Sequence, residues 1–595
     1  MRSVRVARWS VRLAGVAAMW IAPAAISRGL EPGGRGGDPL FGDFTRRQND
    51  PPWAQPVVPS GYDATIAECT ARLEKNPTDA MALMRRGLAW QFKRNYLKAL
   101  ADLDLAVLLQ PQQAQPLVLR GALWRLKGNF KRSLADLDRA IQLDPQNIAA
   151  LVELGYTHSK MANYDKAVRD FSAAINVSPS YLYAFAGRGS AEEAKGDYAS
   201  AISDFQMAVR IDPTNSFARL CLGGAWLRTG DYDKSLADLG EAIRLGTTQS
   251  HAFVYRAEIR FYRGDREGGM ADFAHAIRMS PANAEGYVAR ARAWESIGES
   301  EKQLADFDEA LRVEPKDAYL HLLRGFAECA RDDLDRAKAD CEEAARLDPS
   351  HPYCGVLRGD IAERRGERDK ALAEFDSVLH ARADGGSARF AGGVVHGKKG
   401  QLDEAIADFT KALRFYPAST SGLQYRASLW VRKGETGKAL DDLAAAIRLE
   451  PASASSYIEA GQVRIRRGEC AEALSDFKEA VRLAPKLAGG YDGQAWIFAT
   501  ASDKKLRDGR RAVEAATRAC ELTHWRKSWP LDTLAVAYAE SGDYKAAVKW
   551  ETLALQFALP MDSDRKESDL RARLELFEAR KPYRDAAVGD VSKMP

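Results

Sequence analysis

Proline recurs along this chain on a strict period. Pro77, Pro111, Pro145, Pro179 and Pro213 are each 34 residues apart, and the lattice skips one site at Thr247 before Pro281, Pro315 and Pro349. It skips Ala383 and returns at Pro417, Pro451 and Pro485, so twelve intervals pass without an insertion or deletion. A fixed period of this length belongs to repeat architectures, in which each unit buries its apolar face only against its neighbours. The division into several globular domains that a 595-residue chain would otherwise suggest does not apply.

Every interval has the same internal grammar. Ten residues after each lattice point stands Gly in nine cases of thirteen, and Ala257, Ala291, Ala427 or Ala495 in the rest. Twenty-nine residues after it stands Ala in eleven of twelve, with Val378 the exception. Small residues on facing helices let two backbones approach closely. Seventeen residues after the lattice point stands Gly in nine of twelve, for example Gly128, Gly196, Gly230 and Gly400. A Gly there predicts a helix C-terminal cap and a short turn. The Pro itself ends the second helix and starts the connection onward. Each interval therefore reads as two antiparallel helices of three to four turns.

This grammar resembles the tetratricopeptide repeat family, whose unit is a 34-residue helix–turn–helix with a W-x2-L-G-x2-Y…A-x3-F…P pattern. The A-x3-F element stands as Ala167…Phe171, Ala201…Phe205, Ala371…Phe375, Ala405…Phe409 and Ala473…Phe477. The family's Tyr before the turn is often Trp here (Trp90, Trp124, Trp226, Trp294, Trp430), and its Leu before the small residue is mostly Arg, as in Arg120 and Arg324. The resemblance covers roughly residues 62 to 560 and implies an all-α, right-handed solenoid of antiparallel helix pairs with divergent caps. Family members that hold charged chaperone tails use a Lys and Asn clamp on their first helices. Here the sites seven after the lattice point hold Met84, Val118, Val152, Ala186, Leu220 and Val254, and those eleven after it hold no Asn.

The regular array spans 62–486, an N-terminal half repeat (62–76) and twelve full repeats. Divergent repeats follow at 487–560, then a polar C-terminal helix and tail at 561–595, the helix running roughly from Asp564 to Lys581. Residues 25–61 are rich in Gly and Pro and read as a disordered linker. The first 24 residues read as an export signal: Arg2, Arg5, Arg8 and Arg12 without an acid, an apolar run from Leu13 to Ala25, and small residues at Ala22-Pro23-Ala24. The mature chain would begin near Ala25 outside the cytoplasm, periplasmic or secreted, and the alternative is an uncleaved N-terminal membrane tether. No later stretch reads as a membrane span.

Charge excludes one class of partner. Lys and Arg number 86 against 82 Asp and Glu, and removing the four N-terminal Arg leaves 82 against 82. A nucleic-acid binder shows a basic surplus and stripe, which this chain lacks. The seven cysteines contain no C-x-x-C pair and read as small buried residues, as Cys69 and Cys341 do at core positions of the repeat. Gly392 to Lys399 (GGVVHGKK) nearly matches a phosphate loop, but it lacks the closing Ser or Thr and lies within a first helix. GRGSAE at 187–192 fails as a dinucleotide loop for a similar reason. The residues suggest no catalytic constellation, cofactor or metal site.

The expected function is a non-catalytic scaffold holding a protein or peptide in the concave groove lined by the first helices. Sites 4, 7, 11, 14 and 15 after each lattice point give that face, and they carry Tyr156, Tyr183, Phe217, Phe261, Tyr262, Tyr319, Phe326, Tyr353 and Phe390. Charges there are fewer, Glu258, Glu285, Arg292, Asp360 and Arg364 among them. The alternatives are a self-assembling array, and an adaptor with an unrecognised activity in its C-terminal region. Arg precedes the small residue in eight repeats, and an acid stands 25 residues after every lattice point, eleven times Asp and once Glu374. An unpaired charge beside a packed face is expensive, so these groups predict a ladder of bidentate Arg–carboxylate pairs.

Overall fold

The computed structural model describes residues 61–349, 351–380, 386–557 and 567–584. The export segment and all of the linker but Gly61 lie outside the described residues. Among these residues there are thirty helices and no strand. They form two compact units that divide between Tyr255 and Arg256, inside the regular array and shortly after the missing lattice proline at Thr247.

Within each unit helices pair as the lattice requires. Ala114–Leu126 packs against Phe130–Leu143, and Ala454–Arg466 against Cys470–Leu483. First helices of adjacent pairs also lie in contact, as Leu182–Lys195 does with Ser216–Thr229. Each unit is thus an all-α solenoid in which the first helices line one side.

Local chemistry explains the boundaries. Second helices start on a side-chain cap: Asn129 accepts from the Arg132 amide, Asp197 from Ser200 and Asp231 from Lys234. They stop before Pro on an extended residue, as Asp144 does at φ −142° and ψ 92° ahead of Pro145. The turn position is left-handed in all twelve repeats. Nine are Gly, and the three that are not, Arg94, Ala162 and Asp332, hold φ of 58°, 58° and 66°.

The core follows the repeat. Ala167 and Ala174 are fully buried on a second helix with Phe171 between them. A Cβ placed on Gly155 would come within 2.7 Å of the Phe171 ring, which is why the first helix carries Gly there. All seven cysteines are buried.

The Arg–carboxylate pairs occur in all eight repeats that carry the Arg, at 2.6 to 2.9 Å, and seven of the eight are bidentate. Arg358 reaches Glu374 through one bond. Five of these guanidiniums also donate backwards into the preceding repeat, to Thr70, Asp104, Ser172, Asp308 and Thr410 at 2.7 to 3.1 Å. Where that Arg is missing a different side chain stands in: His158 for Asp170, Arg219 for Asp238, His396 for Asp408 and Arg464 for Asp476.

A second ladder was not expected. Each Trp before the turn lies under a cation from the second helix eight residues on: Lys98 over Trp90, Arg132 over Trp124, Lys234 over Trp226, Lys302 over Trp294 and Lys438 over Trp430, at 4.4 to 4.6 Å from the ring centre. Each contact fastens the two helices of one pair beside their turn.

The ends close the stacks. Tyr62–Lys75 is an orphan second helix that buries Cys69 and Leu73. At the other end Glu567–Glu578 is polar but for a thin face, and that face is deep: Leu570 and Phe577 are fully buried. Arg573 on the same helix donates to both carboxylate oxygens of Asp532 at 2.7 and 3.0 Å.

Candidate functional site

The first helices supply the surface, and the aromatic residues expected to form it sit deeper than a binding strip requires. Phe261, Phe326, Tyr353 and Phe390 keep no more than 2% exposure, and Tyr156 and Tyr183 keep 8%. Tyr156 stands edge-on to Phe171 at 5.0 Å, and Phe390 edge-on to Phe409 at 5.1 Å. These six rings fill space between neighbouring helices, so the expected aromatic strip is here largely core. Phe217, Tyr262 and Tyr319 remain partly exposed. Tyr319 accepts from Arg292 Nη2 at 3.0 Å and leans on His351.

The unit before Arg256 also buries charge on its first helices. Arg125 and Glu153 pair at 2.9 Å with side chains 1% and 6% exposed, and Arg228 lies 3.8 Å from Glu193. Burial pushes the Glu193 carboxyl up, with Arg228 opposing it, and pushes the Cys221 thiol far above its ordinary range.

In the unit after Tyr255 the chain returns on itself. The Ala452 amide donates to the Tyr262 carbonyl at 2.9 Å, Lys486 pairs with Glu299 at 2.7 Å, and Lys527 pairs with Asp332. The last two pairs join residues 187 and 195 apart, so segments more than five repeats distant meet.

That return gathers acids on the first-helix side. Glu258 belongs to His251–Tyr262, Glu295 to Glu285–Ser296, Asp360 to Pro352–Arg364 and Glu459 to Ala454–Arg466, while Glu450 caps Thr436–Leu449. Tyr262 is within electrostatic reach of Glu450, Glu258 and Glu295, and Tyr425 of Asp360, Glu459 and Glu295. Lys398 answers Asp360 at 3.1 Å and Glu363 at 2.6 Å, and Thr420 donates to Glu450 Oε1 at 2.9 Å. Burial drives Glu295 up to about 8 against the pull of Arg292. It takes Glu450 to about 8 with Thr420 opposing and Glu258 adding to the rise, and Glu459 to about 8 with nothing opposing.

Sequence spacing put Glu258, Asp360 and Glu295 at inner-face offsets, the last fourteen residues after Pro281, but Glu450 and Glu459 stand at other offsets and gave no signal. Among the described residues no group of three or more His, Cys, Asp or Glu is arranged to hold a metal ion, and no helix is long and apolar enough to cross a membrane. The phosphate-loop lookalike is the end of helix Gly386–Lys398, with its Lys398 committed to Asp360 and Glu363.

Stacked antiparallel helix pairs on a 34-residue period define a helical-repeat solenoid. The family model for the tetratricopeptide repeat matches residues 152–216, 356–420 and 426–488. The chain is a tetratricopeptide repeat protein. Among solved structures it is similar to a chain in the crystal structure of the APC/C hetero-tetramer Cut9–Hcn1, with 13% identity over 86% of this chain and 98% of that one, at a TM-score of 0.57. This likeness shows the fold. Yeast Tom70 matches with 17% identity over 75% of this chain and 96% of that one, at a TM-score of 0.33. A tetratricopeptide repeat protein from Parabacteroides merdae matches with 19% identity over 42% of this chain and 98% of that one, at 0.36. Comparison with curated proteins finds no match.

Proposed function

We propose that this protein is a non-catalytic scaffold that holds a segment of a protein partner along its first helices. Proteins of this repeat family are generally protein-interaction scaffolds. The observation that carries the reading is the inner face of the unit after Tyr255, where Tyr262 and Tyr319 stay partly exposed and Tyr262 lies within electrostatic reach of the Glu295 and Glu450 carboxyls. A surface built only for stability would bury apolar groups there instead. A photo-crosslinking amino acid placed at Tyr262 or Tyr319 in the producing cell tests it. Cross-linked peptides from one partner are expected at both positions and none at Arg336 on a second helix. Equal labelling at all three would overturn the reading, and adducts to this same chain would replace it with self-assembly.

The scaffold works outside the cytoplasm in this proposal, a reading supported by the basic start, the apolar run and the small residues at Ala22 to Ala24. N-terminal sequencing of protein from the extracytoplasmic fraction should begin near Ala25. Intact Met1 in a membrane pellet would favour a tether.

A further inference from the structure

The first repeat departs from the others on the side of its second helix that is turned away from the core. In Tyr96–Leu109, Leu97 and Leu108 keep 77% and 74% exposure, and Leu105 keeps 39%. With exposed Ala101 they follow one another at steps of four, four and three residues, which makes a single stripe of an α-helix. Thirty-one residues after the lattice point, where Leu108 stands, the other eleven repeats carry Arg eight times and otherwise Gln, Asn or His. At the site of Leu97, seven of the eleven carry an acid. The repeat does not need these leucines for its own core, since Ala99, Leu103 and Ala106 are buried on the other side of the same helix. An apolar stripe at one place in a pattern that is polar elsewhere marks a surface that something covers.

The chain itself leads to that surface. Tyr62 stacks on Phe92 at 5.1 Å, and Asp63 pairs with Lys93, so helix Tyr62–Lys75 begins beside the turn from which Tyr96–Leu109 starts. Residues 1–60 precede that point and lie outside the described residues. The last ten of them, PPWAQPVVPS, hold Trp53, Val57 and Val58. Val57 is five residues from Tyr62, a reach of about 16 Å in extended chain. The stripe from Leu97 to Leu108 is also about 16 Å long, at about 1.5 Å per helical residue. Four prolines in the same ten residues favour an extended backbone, which lowers the entropy lost on docking. We propose that residues 51–60 dock along this stripe, with Val57 and Val58 against Leu97, and Trp53 against Leu105 and Leu108. Processing near Ala25 would leave the segment on the chain, so export and docking are compatible.

The test places a photo-crosslinking amino acid in the full chain at Leu97, at Leu108 and, as control, at Lys131, which occupies the site of Leu97 in the second repeat. Mass spectrometry of the purified protein should find adducts within one chain, from Leu97 and Leu108 to residues 51–60, and none from Lys131. Adducts that join two copies would overturn the dock and make the stripe a dimer face. Adducts to another protein only, or none to residues 51–60, would overturn it as well. A second measurement leaves the repeats untouched. The variant Trp53→Ser/Val57→Ser/Val58→Ser should speed hydrogen exchange severalfold in Tyr96–Leu109 and leave Phe130–Leu143 unchanged. Equal exchange in the variant and the wild type would mean that these side chains do not cover the stripe.

Discussion

The left-handed turn position shows how far a single residue's role can be read from a lattice. Nine glycines predicted the conformation, and the three residues that break the pattern adopt it regardless, Ala162 at φ 58° among them. Neighbouring helices fix the turn, and the side chain absorbs the strain. Replacing Ala162 with Gly should therefore raise stability by about 1 kcal/mol, read as a higher urea midpoint with an unchanged slope. No gain would mean that Ala162 sits there without strain. Asp332 is a poor choice for the same experiment, because it also pairs with Arg364 and Lys527. Depth was less legible than conformation at this scale. Spacing placed Phe261, Phe326, Tyr353 and Phe390 on the correct helices, yet helical periodicity reports direction and not how near the next helix comes. In a stack of pairs, the sides of a first helix are as enclosed as its back.

At the scale of helices the Arg–carboxylate ladder was readable because two residue types recur at fixed offsets, and a charge beside a packed face demands a partner. Its backward reach into the preceding repeat was not, since the acceptor varies among Thr, Ser and Asp. The Trp–cation contacts were readable in principle, as a base stands eight residues after each Trp before the turn. Burial raises Asp170, Asp238 and Asp476 despite His158, Arg219 and Arg464, whereas Arg324 and His321 together outweigh burial and hold Asp340 below its usual range. Arg120 clamps Asp136 and also reaches Asp104, so it ties two repeats together. Arg120→Ala should cost about 3 kcal/mol, because it leaves Asp136 buried and unpaired. Arg120→Lys should recover less than half of that, since one ammonium cannot reproduce the fork. Hydrogen exchange in Phe130–Leu143 is the measurement, and full recovery by Lys would show that charge alone suffices.

For the molecule as a whole, the period foretold repeat number, helix pairing and the caps, but it could not foretell which repeats meet after the chain returns. Three acids buried in the unit after Tyr255 have a consequence for stability. Glu295, Glu450 and Glu459 have folded-state values raised to about 8, above the unfolded value of about 4.3. Between those limits the folded state binds more protons than the unfolded chain, so stability falls as pH rises. The penalty is absent below the unfolded value and complete above the folded one. The groups facing these acids are Glu258, Tyr262 and Arg292, Thr420, and Asp360 with Tyr425. Of these, Arg292 stays charged throughout, and Glu258 and Asp360 can only deepen the effect by adding negative charge as they ionise. Asp340, held below its usual range, acts in the opposite sense but below about pH 4, outside the window. The melting temperature should therefore drop by roughly 5 °C between pH 5 and pH 8. The triple variant Glu295→Gln/Glu450→Gln/Glu459→Gln should make that slope shallower while matching the wild type near pH 5, and Glu551, raised by burial to about 8, keeps its own share. Parallel melting curves for the two proteins across the range would mean that these carboxyls are ionised in the free protein, and that the charge needed to balance them is already inside the fold.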